Sequence, residues 1–80
     1  MTLDMLAMKQ PAVIRQVSGE NALRCRLLDM GLIPGTVVSI QKAAPMGDPI
    51  ELLVRGYRLT LRKADAARIT VEPLKEGGNV

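Results

Sequence analysis

Cys25 is the single thiol of an 80-residue chain that contains no histidine. A cysteine nucleophile needs a base to draw off its proton, and the usual one is missing from this composition. Zinc sites of the finger or ribbon type need four nitrogen or sulfur ligands and are excluded on the same count. The carboxylates that a hard or borderline metal would use, such as Glu20, Asp29, Asp48 and Glu51, follow no recognisable ligand spacing. The phosphate-cradling pattern GxxxxGKS/T is absent as well. The residue types favour recognition over catalysis. Arg24 and Arg26 can hold carboxylates through paired hydrogen bonds. Tyr57, the sole aromatic, combines a large contact area with few rotatable bonds. Met46 offers adaptable apolar contact, and Asp48 and Arg58 add charge of either sign.

These residues have to be positioned by a small domain. Eighty residues make one core, and a chain of this size buries only about 60% of the surface its unfolded form exposes. One cysteine cannot close an internal disulfide, so leucine, isoleucine, valine, methionine and alanine must hold the fold alone. No apolar run approaches the roughly 20 residues that span a bilayer, and Met1-Thr2-Leu3-Asp4 lacks the basic start of a signal peptide. The expected location is the cytoplasm. A net charge of +3, with both signs interleaved, reads first as a solubilising surface.

Hydrophobic periodicity then places the elements. Leu3, Met5, Leu6 and Met8 form an apolar cluster suited to an N-terminal arm. Ala12 to Val17 reads as a first strand, bounded by Pro11 and Gly19. Leu23, Leu27, Leu28 and Met30 recur at helical spacing, with Arg24 and Arg26 turned away. Ser18 is the expected N-cap of this helix of about three turns, and Glu20 falls in its first turn. Gly31 supplies a left-handed residue past its end, Leu32 folds back onto Leu27, and Pro34 forbids continuation. Further strands are expected over Val37 to Ala43, from Ile50 to Arg55, from Tyr57 to Arg62, and from Ile69 until Pro73 ends it. In the third, Ile50, Leu52 and Val54 alternate inward; in the fourth, Tyr57, Leu59 and Leu61 do. Gly35 opens a turn, Gly56 makes a tight hairpin, and Ala44 to Pro49 is a proline-stiffened loop. Lys63 to Ala67 has length for one helical turn. Five short strands and one helix between the first two suggest a mainly β protein, a small closed barrel without sticky edges. The domain runs over residues 1–73, and 74–80 is expected to be a flexible tail.

The stretch Leu23-Arg24-Cys25-Arg26-Leu27-Leu28-Asp29-Met30-Gly31-Leu32-Ile33-Pro34-Gly35-Thr36 closely resembles the helix-to-strand signature of the FeoA family. Ala44-Pro45-Met46-Gly47-Asp48-Pro49, Val54-Arg55-Gly56-Tyr57-Arg58-Leu59 and Leu61-Arg62 follow in the family's order. The resemblance covers roughly Met1 to Glu72. Cys25 departs from it, standing where members more often carry a polar or basic residue. The resemblance implies an SH3-like barrel and a cytosolic, non-enzymatic role in ferrous iron uptake. The implied partner is the cytoplasmic region of FeoB, a membrane iron permease with a GTPase domain. Membrane contact would come through that partner. The barrel also looks like the C-terminal domain of iron-dependent repressors, which implies a metal-binding or metal-sensing module as the alternative, with at most a weak ferrous or other divalent metal contact.

Each candidate has a plain structural reading beside the functional one. Gly31, Pro34, Gly35 and Gly56 serve turns. Leu32 or Ile33 is the expected apolar anchor at the helix end. The Ala44–Pro49 loop reads first as a proline-stiffened connector; as a recognition loop, with Met46 at its tip and Asp48 adding a charge, it is the leading partner-facing element. Tyr57 packs over its turn or serves as a contact hot spot. Arg24 and Arg26 form a solvated face, with Asp29 in reach of Arg26, or engage acidic groups of the partner. Cys25 reads as semi-buried filler. Arg55, Arg58, Arg62 and Lys63 form a candidate basic cluster, but a polyproline groove or a base-stacking surface needs more than one aromatic. No nucleic-acid partner is therefore expected.

Overall fold

The computed structural model describes residues 1–74. The chain opens with a 3₁₀ turn, Leu3–Met5, followed by β1 (Ala12–Val17), α1 (Asn21–Asp29) and β2 (Val37–Ala43). Then come β3 (Ile50–Val54), β4 (Tyr57–Leu61), α2 (Lys63–Ala66) and β5 (Ile69–Pro73). All pairings are antiparallel, in the order β4-β3-β2-β1-β5. The strands fall where alternation placed them, because one face of each carries the core: Ala12, Ile14 and Val17; Val38 and Ile40; Ile50, Leu52 and Val54; Ile69 and Val71. Val17 keeps its inward orientation through a register shift between Ile14 and Gln16. In β4 the expected alternation is partial. Leu61 is buried and Leu59 half-buried, but Tyr57 is exposed at the hairpin end.

The sheet is open, which corrects the expectation of a closed barrel. β4 and β5 are its two edges and do not pair. The chain leaves the ladder after Leu61, enters α2, and buries Ala66 completely before rejoining at Ile69. Beside β4, Arg26 of α1 pairs with Asp65 of α2, and both line a groove with Thr60 and Leu61. The N-terminal arm covers the β5 side: the Val71 N–H donates to the Met1 carbonyl at 2.8 Å, and Thr2 bridges Thr70. Of the arm's apolar residues, Leu3 and Leu6 enter the core, while Met5 and Met8 stay exposed. Leu74 is tied to the arm's exit, its N–H reaching the Pro11 carbonyl at 2.9 Å. The rest of the expected flexible tail, 75–80, lies outside the described residues.

α1 begins later than expected. Glu20 is its N-cap, and Ser18 instead donates through both its N–H (2.8 Å) and its hydroxyl (3.0 Å) to the Arg68 carbonyl. Ser18 thus extends the β1–β5 pairing, and Gly19, at φ 115°, turns the chain from strand to helix. Nine residues give two and a half turns. The far end matches the sequence reading. Gly31 sits at φ 97°, its N–H bonds the Leu28 carbonyl at 2.9 Å, and the Leu32 N–H bonds the Leu27 carbonyl at 3.1 Å. That is the paired Schellman closure, with Leu27 and Leu32 both in the core.

The helix corner therefore divides into core and surface. Leu32 is 0% exposed and cannot be the surface anchor, whereas Ile33 is 43% exposed. Leu32→Ala should lower unfolding free energy by about 2–5 kcal/mol, as for other fully buried leucines, and Ile33→Ala by under about 0.5 kcal/mol. Urea denaturation of the two variants measures the difference, and equal losses would contradict this division.

Candidate interaction surface

Tyr57 begins β4 directly after a two-residue turn in which Arg55 (φ 50°) and Gly56 (φ 85°) both take positive φ. This turn aims the ring across the end of α1, where its hydroxyl donates to the Met30 carbonyl, one of the acceptors a helix end leaves over. The same hydroxyl fills the space a Cβ on Gly31 would need. Gly31 is thus required twice, by its backbone angle and by its neighbour. With 43% of its surface exposed, Tyr57 still offers a ring edge to a partner.

The arginines are more committed than a solvated helix face implies. Arg24 folds back to donate from Nε to the Val17 carbonyl at 3.0 Å. Arg26 pairs with Asp65 of α2 at 3.0 Å, not with Asp29 on its own helix. Arg58 meets Glu51 at 3.1 Å, and Lys42 approaches the other oxygen of the same carboxylate at 3.7 Å. Asp48 accepts the Lys63 N–H at 2.8 Å, tying the 44–49 loop to the start of α2. Met46 stands free at the loop tip, 90% exposed. Cys25 is exposed, not semi-buried, because the turn of α1 that buries Leu27 carries it outward.

The sequence-chosen residues come together in part. Arg26, Met30 and Asp65 line one side of a groove of about 470 Å³, with Thr60, Leu61 and Arg62 on the other. A second groove, about 330 Å³, runs between Lys42–Pro45 and Pro49–Glu51, with Thr60 at its side. Met46 and Arg24 line neither groove. Sequence reading weighed Arg62 only within a basic cluster and passed over Asp65, since their meeting with α1 depends on a long-range approach. Among the described residues, no three or more of Cys, Asp and Glu gather where they could hold a metal ion. No described helix is long and apolar enough to cross a membrane.

A single five-stranded antiparallel sheet with a helix between its first two strands and a helical turn before its last is an SH3-like fold. The chain belongs to the FeoA family: the FeoA domain model matches residues 1–73. It is 38% identical over 72 residues to the Fe(2+) transport protein A/Fe(2+) transporter FeoB fusion protein of Porphyromonas gingivalis. That match takes in 90% of this chain and 8% of the fusion protein's length. The FeoA-like protein of Clostridium acetobutylicum superposes with a TM-score of 0.87 at 39% identity, covering 100% of this chain and 93% of that one. Stenotrophomonas maltophilia FeoA, solved with zinc and described as a procaryotic SH3 domain protein, gives 0.74 at 29% identity, covering 90% and 89%.

The double requirement at Gly31 is measurable. Gly35 also has positive φ, but nothing lies within 4 Å of its Cβ position. Gly35→Ala should cost about 1–2 kcal/mol, the backbone penalty alone. Gly31→Ala should cost roughly 1 kcal/mol more, the worth of the displaced Tyr57 hydrogen bond. Adding Tyr57→Phe to Gly31→Ala should cost nothing further. Thermal and urea unfolding of the set would reveal an error if the two alanine variants lost the same stability.

Proposed function

We propose that this protein is a non-enzymatic, cytoplasmic accessory of ferrous iron uptake that acts by contact with the cytoplasmic region of a FeoB-type permease. One observation carries the reading: in the P. gingivalis relative, the matching sequence shares a chain with FeoB. Joining two modules in one polypeptide raises their effective concentration for each other, which is useful when they work in contact. The chemistry of this surface agrees. It exposes Met46, Ile33 and the Tyr57 ring as apolar contacts and lines a groove with Arg26 and Arg62, a combination suited to a folded partner. Catalysis is not part of the proposal, since exposed Cys25 has no histidine to activate it.

The stand-alone metal module is the weaker reading. Asp48 is engaged by a backbone N–H and Glu51 by Lys42 and Arg58, so these carboxylates are directed to protein partners. Calorimetric titration of the purified protein with ferrous iron under anaerobic conditions should give no stoichiometric micromolar binding. Such binding would promote the metal reading.

The contact reading is checked by pull-down with the cytoplasmic part of FeoB. Met46→Ala, Ile33→Ala and Arg62→Ala should each weaken capture about three- to tenfold, within the ordinary range for interface truncations, with circular dichroism unchanged. Failure of the unaltered protein to bind any FeoB fragment or the full permease would remove the partner.

A further inference from the structure

The two sheet edges are treated differently. The free side of β5 is covered by Met1 and Thr2. Among the described residues, β4 pairs with β3 alone. The two-residue turn makes Val54 and Tyr57 a hydrogen-bonded pair, and such pairs alternate along an antiparallel ladder. Leu59 and Leu61 therefore use their main-chain groups on Leu52 and Ile50. The N–H and C=O of Arg58 and Thr60 point the other way. Among the described residues, no backbone hydrogen bond from another element takes them up. Beside this edge runs the 470 Å³ groove, with Thr60, Leu61 and Arg62 on the β4 side and Arg26, Met30 and Asp65 opposite.

We propose that the β4 edge receives an extended acidic segment of the partner as a sixth strand. This rests on the accessory reading above and adds the chemistry of the segment that is recognised. An uncovered row of main-chain donors and acceptors is a template for strand addition. Charge selects the occupant. A second copy laid antiparallel about Thr60 would set Arg58 against Arg62 twice, and like charges directly opposite are unfavourable. An acidic segment reverses the sign at both positions. Arg62 has no ion-pair partner among the described residues, and Arg58 shares Glu51 with Lys42. Side chains alternate along β4, with Arg58 and Thr60 on one face and Leu59 and Leu61 on the other. The segment it fits carries acidic or polar residues at every second position and apolar residues between them, the latter turned toward Met30 and Leu59.

The probes are end-capped seven-residue peptides: alternating Glu and Val, alternating Lys and Val, and the Glu/Val peptide with its backbone amides N-methylated. Amide exchange and chemical shifts of the full-length protein are followed by NMR. The Glu/Val peptide at millimolar concentration should slow exchange at Arg58 and Thr60 at least tenfold, and more weakly as salt rises. The Lys/Val and N-methylated peptides should not. Thr60→Pro, which removes an edge donor where proline is tolerated, should weaken the Glu/Val peptide tenfold or more. Equal binding of the N-methylated peptide, or no protection at Arg58 and Thr60, overturns strand addition even where Thr60→Pro does not fold. A dimer of the protein alone that protects the same amides puts a second copy at the edge and overturns the acidic occupant. If Thr60→Pro folds and still captures FeoB at full strength, this inference falls and the accessory reading stands. If the Glu/Val peptide binds as described while the unaltered protein captures no form of FeoB, the accessory reading falls instead.

Discussion

The carbonyl groups at the end of α1 have to be satisfied within two residues of the last turn, and the rest of the molecule is arranged around how this is done. Gly31 reverses the chain, Leu32 returns to the core beside Leu27, and the Tyr57 hydroxyl takes the Met30 carbonyl. The first two steps are local. The third crosses from the helix to the β3–β4 hairpin and sets where β4 stands relative to α1. The groove between them is a product of that spacing. The ion pairs on the surface do less. Arg15–Glu72 joins two exposed side chains, a kind of pair that contributes about 0–1 kcal/mol, and in Arg26–Asp65 the arginine is exposed while the carboxylate is mostly covered. Alignment is the work of apolar burial and of one helix terminus.

An open sheet follows from the same economy of length. Five strands of five to seven residues supply inward side chains for one core. Ala66, at 0% exposure, adds to that core from α2. Closure would have required β4 and β5 to meet, and the helical turn that connects them keeps them apart. One edge is then shielded by the chain's first residues and the other is left bordering a groove. In a domain this small, with no internal disulfide available, an unshielded edge needs some control of its own. Arginines at positions 58 and 62 supply it against self-association.

Local pattern made the elements legible, and long-range contact hid their relations. Ile50, Leu52 and Val54 announce a half-buried strand because the period of two is a property of any strand. Gly31 and Pro34 announce the helix end because their backbone limits act at the residue itself. Ser18 misleads because a capping serine and a ladder serine look alike until Arg68, fifty residues away, is placed beside it. Arg26 misleads for the same reason. Asp29 is its nearer neighbour in sequence, but Asp65 is the one brought to it by packing. The choice between Leu32 and Ile33 as the exposed residue depends on the direction in which the chain leaves Gly31. Periodicity does not encode that direction. The open seam is the largest element missed, since nothing in strand count or length distinguishes a closed sheet of five from an open one.

The loop after β2 closes on itself, with the Ala44 N–H held by the Pro49 carbonyl at 2.9 Å and the Gly47 N–H by the Ala44 carbonyl at 2.7 Å. Its tip is thereby insulated from the ladder, and residues 45–47 can be exchanged or lengthened with little propagated strain. A fluorophore or an affinity handle grafted there would report on the molecule while leaving its core undisturbed.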